Sequence, residues 1–119
     1  MTKTPYDEVK DVMDIYLKSV RTLDFKLMRS VAHTDGRIFI GGRSTSKNLH
    51  DHWADDERIF TDEERVKTLK QMKVDILSIE AEGTIASVKM RMGGWYDFHN
   101  LVKTPEGWKI ITKVSHKIE

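Results

Sequence analysis

A chain of 119 residues with 20 Lys and Arg against 19 Asp and Glu carries a formal charge of +1, and its charges are interspersed rather than gathered into a basic block. That argues against a phosphate backbone as partner, and the length suits one domain, residues 1–119, that buries about two thirds of its unfolded surface without disulfide or metal staples. There is no cysteine, no apolar leader in the charged N-terminus MTKTPYDEVKDVMD, and no apolar run long enough to span a bilayer, so the expectation is a cytoplasmic protein that uses neither membrane nor nucleic acid.

The first element is a helix over about 5–21, with Val9, Met13, Tyr16 and Val20 on one stripe widened by Val12 and Leu17. Thr4 is its expected cap, Pro5 suits a first-turn position, and Asp7 and Glu8 favour the positive end of the dipole. Asp24 then caps a shorter helix carrying Phe25, Leu27, Met28 and Val31, expected to end near Thr34–Gly36 with His33 at its C-terminus. A short strand follows over Arg37–Ile40, stopped by Gly41 and Gly42. Leu49, Trp53 and Phe60 have helical spacing behind a cap at Ser46 or Asn48, and Thr61 with Glu64 predicts a capping box for a helix lined by Val66 and Leu69.

The last third reads as an antiparallel meander of four strands, 73–81, 85–92, 95–103 and 108–117, separated by Glu82-Gly83, Gly93-Gly94 and Thr104–Gly107. Helices first and sheet last make this an α+β domain. Strict alternation in the final strand puts Trp108, Ile110, Thr112, Val114, His116 and Ile118 on one face and Lys109, Ile111, Lys113, Ser115 and Lys117 on the other. In the strand before it, Tyr96, Phe98, Asn100 and Val102 oppose Trp95, Asp97, His99 and Leu101, so both faces mix apolar bulk with polarity. Such a strand is covered on both sides, and since the helices cover one, a second subunit over part of the other is expected.

The order of two helices, AHTDGRIFI, short helices and a meander ending GWYDFHNLVKTPEGWKIITK resembles the nuclear transport factor 2-like superfamily, which includes the SnoaL-like polyketide cyclases. Within it the chain is most similar to the "Putative lumazine-binding" group, through His33, Thr34, Asp35 and Arg37 at the helix-to-strand element and Asp97, Leu101, Gly107, Trp108, Lys109, Ile110 and Lys113 in the last two strands. The resemblance implies a cone-shaped fold in which N-terminal helices pack on a strongly curved antiparallel sheet and enclose a pocket, in a homodimer joined through its sheets.

The same resemblance implies a small, largely apolar ligand and, if there is turnover, cofactor-free acid–base chemistry of the dehydratase, isomerase or cyclase type. Steroid isomerase-type members place a tyrosine on the first helix as oxyanion donor, the position Tyr16 resembles, but Ile38, Phe39 and Ile40 stand where their carboxylate base would be. Scytalone dehydratase-like members combine tyrosine, histidine and acid, types supplied here by Tyr16, Tyr96, Asp97, His99 and His116. The candidate catalytic residues are therefore Tyr16, Asp97, His99 and His116, with Trp53, Met90, Tyr96, Phe98 and Trp108 as ligand-lining residues. Read structurally, Tyr16 is a core tyrosine, Asp97 makes a fold-specific hydrogen bond or a dimer-interface salt bridge to Lys113 or Arg91, and Met90 and Met92 are core filler beside Ala86 and Val88.

No metal site is expected, because His50 and His52 diverge by roughly 200° on a helix. Gly41-Gly42 has no phosphate-loop pattern around it, so no nucleotide cofactor is expected either. The alternative to ligand binding is a non-catalytic homodimeric interaction module with a filled cone.

Overall fold

The computed structural model describes residues 3–60, 62–70 and 72–118. The expected Thr61–Glu64 capping box and the Leu69 side chain lie outside the described residues.

Helix α1 spans Pro5–Thr22 and begins with the expected reciprocal cap, Thr4 Oγ1 accepting from the Asp7 N–H at 3.2 Å while the Asp7 carboxylate accepts from the Thr4 N–H at 3.4 Å. Its apolar stripe is the buried one: Val9, Met13 and Tyr16 are fully enclosed and Leu17 and Val20 nearly so. Each such side chain contributes on the order of 2 kcal/mol by leaving water. Helix α2, Phe25–Ser30, is capped by the Asp24 carboxylate, which accepts from the Leu27 N–H at 3.1 Å.

α2 stops earlier than expected, and the following residues are already sheet: strand β1 runs over Ala32–Ile40 rather than Arg37–Ile40. The early capture is made by the last strand, whose Ile110 N–H donates to the Val31 carbonyl at 2.9 Å. Between the pairs Ala32↔Ile110 and Arg37↔Thr112 the register slips, so that His33–Gly36 bulge against Ile111 alone. Gly36 makes this approach feasible, since a Cβ there would sit 3.0 Å from the His33 carbonyl oxygen and 3.2 Å from that of Ile110. His33 thus lies in a strand bulge, not at a helix end, and its Nδ1 accepts from the Asp35 N–H at 3.0 Å.

A two-residue strand β2, Lys47–Asn48, pairs with β1 and leads into α3, Leu49–Ile59, where Asn48 is the cap. α4 covers Glu63–Lys70. The meander follows as β3 (Val74–Glu82), β4 (Ile85–Met92), β5 (Trp95–Thr104) and β6 (Gly107–Lys117), close to the expected limits. The six strands lie in the order β2-β1-β6-β5-β4-β3, with β1 and β6 parallel and every other pair antiparallel. This is the expected α+β cone: N-terminal helices packed on an open, curled sheet.

A second irregularity decides what the cone contains. β5 and β6 pair Leu101↔Ile110 and then Asn100↔Thr112, leaving Ile111 as the extra residue of a β-bulge. Before the bulge Trp108 and Ile110 face inward; after it Lys113 and Ser115 do, and Val114 and His116 turn out. The expected alternation across the whole of β6 therefore fails from Thr112 onward, because one inserted residue exchanges the faces of everything after it. Asp97 and His99, opposite Ser115 and Lys113, point inward with them.

The outer face carries an in-register row of Phe39, Val114 and Phe98, which are 43%, 40% and 50% exposed, ending at Lys89. The Lys89 ammonium lies 5.9 Å from the Phe98 ring and 5.3 Å from that of Tyr96.

Candidate functional site

Between α1, α2, α3 and the concave side of the sheet lies a cavity of about 310 Å³, at the lower end of the usual range for small-molecule sites. Its walls are largely apolar, with Trp53, Trp95, Phe25, Phe60, Met28 and Met72 prominent among them. The Tyr16 and Trp53 rings are 5.9 Å apart, and Phe25 stacks with Phe60 at 6.4 Å.

The polar end of the cavity is a chain of buried groups brought together by α1, β5 and the bulged β6. Lys113 Nζ donates to Asp97 Oδ2 at 2.8 Å and to the Tyr16 hydroxyl oxygen at 3.0 Å, and lies 3.5 Å from Met92 Sδ. The Lys113 and Asp97 side chains are only 10% and 2% exposed. Burial opposes the Lys113 ammonium, but the Tyr16 oxygen and the Asp97 carboxylate outweigh it and hold the amine protonated. Burial likewise opposes ionisation of Asp97, and Lys113 overcomes it, holding the carboxyl below its ordinary range. Tyr16 is pushed up by burial against the opposing pull of Lys113, so its phenol stays neutral.

Two valences of this network are open. Asp97 Oδ1 is buried and has no hydrogen-bond partner. The Tyr16 O–H, its oxygen occupied by Lys113, has only the Met92 sulfur 3.9 Å away as acceptor.

His99 sits behind the network rather than in the cavity lining, fully buried and edge-on to the Tyr16 ring at 5.2 Å. Neither of its ring nitrogens has a partner, and burial together with the Lys113 charge lowers its pKa to about 3, so it is a neutral imidazole. A second polar pair lines the α3 wall: His52 Nε2 is 3.3 Å from Asp56 Oδ2, one helical turn on, and both side chains are 25% exposed. Burial pushes His52 down and Asp56 up, each partner opposing the shift of the other. His50 turns the other way, its Nε2 3.0 Å from the Ala32 carbonyl oxygen, so the two histidines diverge. Among the described residues no group of three or more His, Asp or Glu is placed to hold a metal ion.

Of the candidates read from the sequence, Tyr16, Asp97 and Trp53 meet at this cavity. Met90 and Trp108 are buried in the core outside its lining, and Tyr96, Phe98 and His116 lie on the convex face, for which the bulge at Ile111 is responsible in the case of His116. Sequence reasoning missed Lys113, Ser115, His52 and Asp56 as cavity groups. The adjacent Ile110-Ile111 pair, which breaks strict alternation, was the available signal for the first two, and i,i+4 spacing around Trp53 for the others. No helix among the described residues is long and apolar enough to cross a membrane.

The profile of the family described as "Putative lumazine-binding" matches residues 4–116. No curated protein sequence matches the chain. Among solved structures, a nuclear transport factor 2-like protein of unknown function from Methylobacillus flagellatus is 19% identical, with a TM-score of 0.76 over 95% of this chain and 91% of that one. A ketosteroid isomerase-like protein from Erwinia carotovora is 14% identical, with a TM-score of 0.72 over 99% of both chains. A protein with a cystatin-like fold from Novosphingobium aromaticivorans is 11% identical, with a TM-score of 0.70 over 97% of this chain and 82% of that one. At these identities the structures share the fold alone, whereas the profile spans nearly the whole sequence: the chain belongs to the "Putative lumazine-binding" family and has the fold of nuclear transport factor 2-like proteins.

Proposed function

We propose that the protein binds a small, largely apolar molecule in the cavity, held at its polar end by Tyr16, Lys113 and Asp97. The observation that carries this reading is a buried ion pair at one end of a largely apolar cavity. Such a pair gains little for the fold, because the desolvation of two charges offsets most of their attraction, so its presence beside open space calls for a role there. The family description and the ketosteroid isomerase-like neighbour point the same way, toward a small organic ligand.

Lys113 serves as a hydrogen-bond donor rather than a Schiff-base nucleophile, since its neighbours stabilise the ammonium. For turnover of the acid–base class, Tyr16 is the donor to a developing oxyanion, with Asp97 orienting it through Lys113. The His52–Asp56 pair is better placed to carry the proton than His99, which is neutral and enclosed, or His116, which is exposed. No cofactor is needed for that chemistry.

The test uses naphthalene as an apolar probe, followed by the fluorescence of the cavity tryptophans Trp53 and Trp95. Saturable quenching is expected, and Val20→Phe, which fills space at the α1 wall, should weaken it about tenfold while the protein stays folded. Quenching that is absent, or unchanged in the variant, removes the cavity as the binding site.

A second reading, compatible with the first, is assembly as a homodimer through the convex face. The exposed Phe39, Val114 and Phe98 row motivates it, being continuous across three strands and bordered by Lys89, Arg91 and Tyr96. Phe98→Lys together with Val114→Lys should convert a dimer to a monomer in sedimentation analysis. A wild-type chain that sediments as a monomer at all concentrations contradicts it.

A further inference from the structure

α3 sends two titratable side chains to the cavity, His52 and Asp56, four residues apart and therefore on one face of the helix. His52 Nε2 lies 3.3 Å from Asp56 Oδ2, and each side chain keeps 25% of its surface accessible. Among the described residues, the polar side-chain atoms sealed without a partner belong to Asp97, His99 and Trp108, and to neither member of this pair. A molecule in the cavity can therefore reach it.

The other titratable groups of the cavity are fixed in charge: Lys113 is protonated, Asp97 ionised and Tyr16 neutral. The charges that act on the pair from outside it are Lys113 on β6, Lys47 on β2 and Asp55 on α3. Asp55 is answered by Lys47 and Arg58, while Arg29 of α2 and Arg37 of β1 are engaged by Glu57 and the Ser46 hydroxyl. Burial holds His52 below its ordinary 6.5, so at neutral pH the imidazole is uncharged. The Asp56 carboxylate facing Nε2 favours the ring proton there and leaves the lone pair on Nδ1; it also stabilises the imidazolium that forms when Nδ1 takes a proton. A neutral imidazole backed by a carboxylate has the form of a general base with its orienting acid.

We propose that His52 is the general base of the cavity and Asp56 its positioning partner. His52 Nδ1 takes the proton of an activated C–H bond of the bound molecule, and the C–H electron pair passes into the acceptor group beside that carbon. The imidazolium then returns the proton to another atom of the same molecule or to water, so the net change is an isomerisation or an elimination. This inference rests on the binding reading above and gives the α3 wall its role in it.

The probe that tests it is 5-nitrobenzisoxazole, a flat, uncharged ring compound that opens when a base removes its C3 proton. The C3–H and N–O bonds break, the C=N bond becomes a nitrile, and the oxygen departs as a coloured phenolate whose absorbance follows turnover. Saturable turnover above the buffer rate, inhibited by naphthalene, is expected. His52→Gln should lower kcat by about a hundredfold, whereas His116→Gln, on the convex face, should leave it unchanged. In the wild type kcat/KM should fall in acid with a midpoint below 6.5, as His52 takes up a proton. Asp56→Asn removes the charge that favours the imidazolium, so it should move this midpoint to lower pH and reduce the plateau by about tenfold.

Undiminished turnover in His52→Gln overturns the proposal. So does a wild type whose tryptophans are quenched by naphthalene but which leaves 5-nitrobenzisoxazole at the buffer rate, a result that spares the cavity as a binding site. Neither quenching nor turnover overturns both readings. Should His52→Gln not fold, the acid midpoints of the wild type and Asp56→Asn decide the point, and a midpoint that does not move removes the pair.

Discussion

Lys113→Met is expected to destabilise the protein by about 3–5 kcal/mol, because it leaves the Asp97 carboxylate buried without its counter-ion. Asp97→Leu should be costly for the converse reason, stranding an ammonium among Tyr16, Met92 and the cavity wall. The double variant Lys113→Met with Asp97→Leu, apolar at both positions, should recover most of the loss and equal or exceed the wild type in stability. Urea denaturation of the four proteins at neutral pH gives the coupling energy directly. Additive losses in the double variant would show that the pair is not the closed unit that its 2.8 Å contact describes.

Acid sensitivity is the second large effect, and its source is His99. Its folded pKa of about 3 lies below the ordinary value of 6.5, so between these limits the unfolded chain binds a proton that the folded chain does not. Stability therefore rises with pH across that window, by up to about 1.4 kcal/mol per pH unit, and is lost as pH falls from about 6.5 toward about 3. Asp97 acts in the same sense lower down: its carboxyl is held below the ordinary range, so its contribution is present above that range and is lost as pH falls through the depressed value. His52 adds to the slope, and Asp56, pushed up by burial, subtracts from it as pH rises. His99→Leu removes one component and leaves the others in place. Denaturation midpoints measured from pH 7 to pH 4 should then decline less steeply in the variant by a few kcal/mol over the range. Parallel curves for the two proteins would mean that His99 is hydrated or paired in a way that keeps its affinity for protons near normal.

The sequence made the helices and the meander legible for separable reasons. α1 was readable because its cap, its first-turn proline and acids, and its apolar stripe all agree, and the structure starts it at Pro5 with Thr4 as cap. The meander was readable because its turns carry glycine and its strands β-branched or aromatic residues; β4 matches its expected limits, and β3, β5 and β6 lie within one residue of theirs. β1 was half missed, since AHTDG has the composition of a helix end and a turn. Only its distant pairing with Ile110 makes it strand, and tertiary pairing of that kind leaves no local trace.

The site was harder to read for a related reason. Tyr16 and Trp53 could be placed from helical period alone, whereas the face of Asp97 stayed open, because both sides of its strand mix aromatic bulk with polarity. Lys113 could not, because face assignment along a strand propagates from one end, and a single inserted residue at Ile111 reverses it. That insertion puts the lysine beside the aspartate and takes His116 out of the cone. Asp97 and His99, neighbours on one inner face, also proved unlike in environment: one lines the cavity and pairs with Lys113, while the other is sealed behind Tyr16.

Binding in the cavity, with Lys113, Asp97 and Tyr16 at its polar end, is tested most directly by a crystal structure of the protein with naphthalene. The expected result is naphthalene stacked among Trp53 and its aromatic neighbours, with the Lys113–Asp97 pair and Tyr16 at one end of the occupied space. Naphthalene bound on the convex face, or a cone filled by Met92 and Trp95 with the Lys113–Asp97 pair shut away from it, would contradict binding at this site.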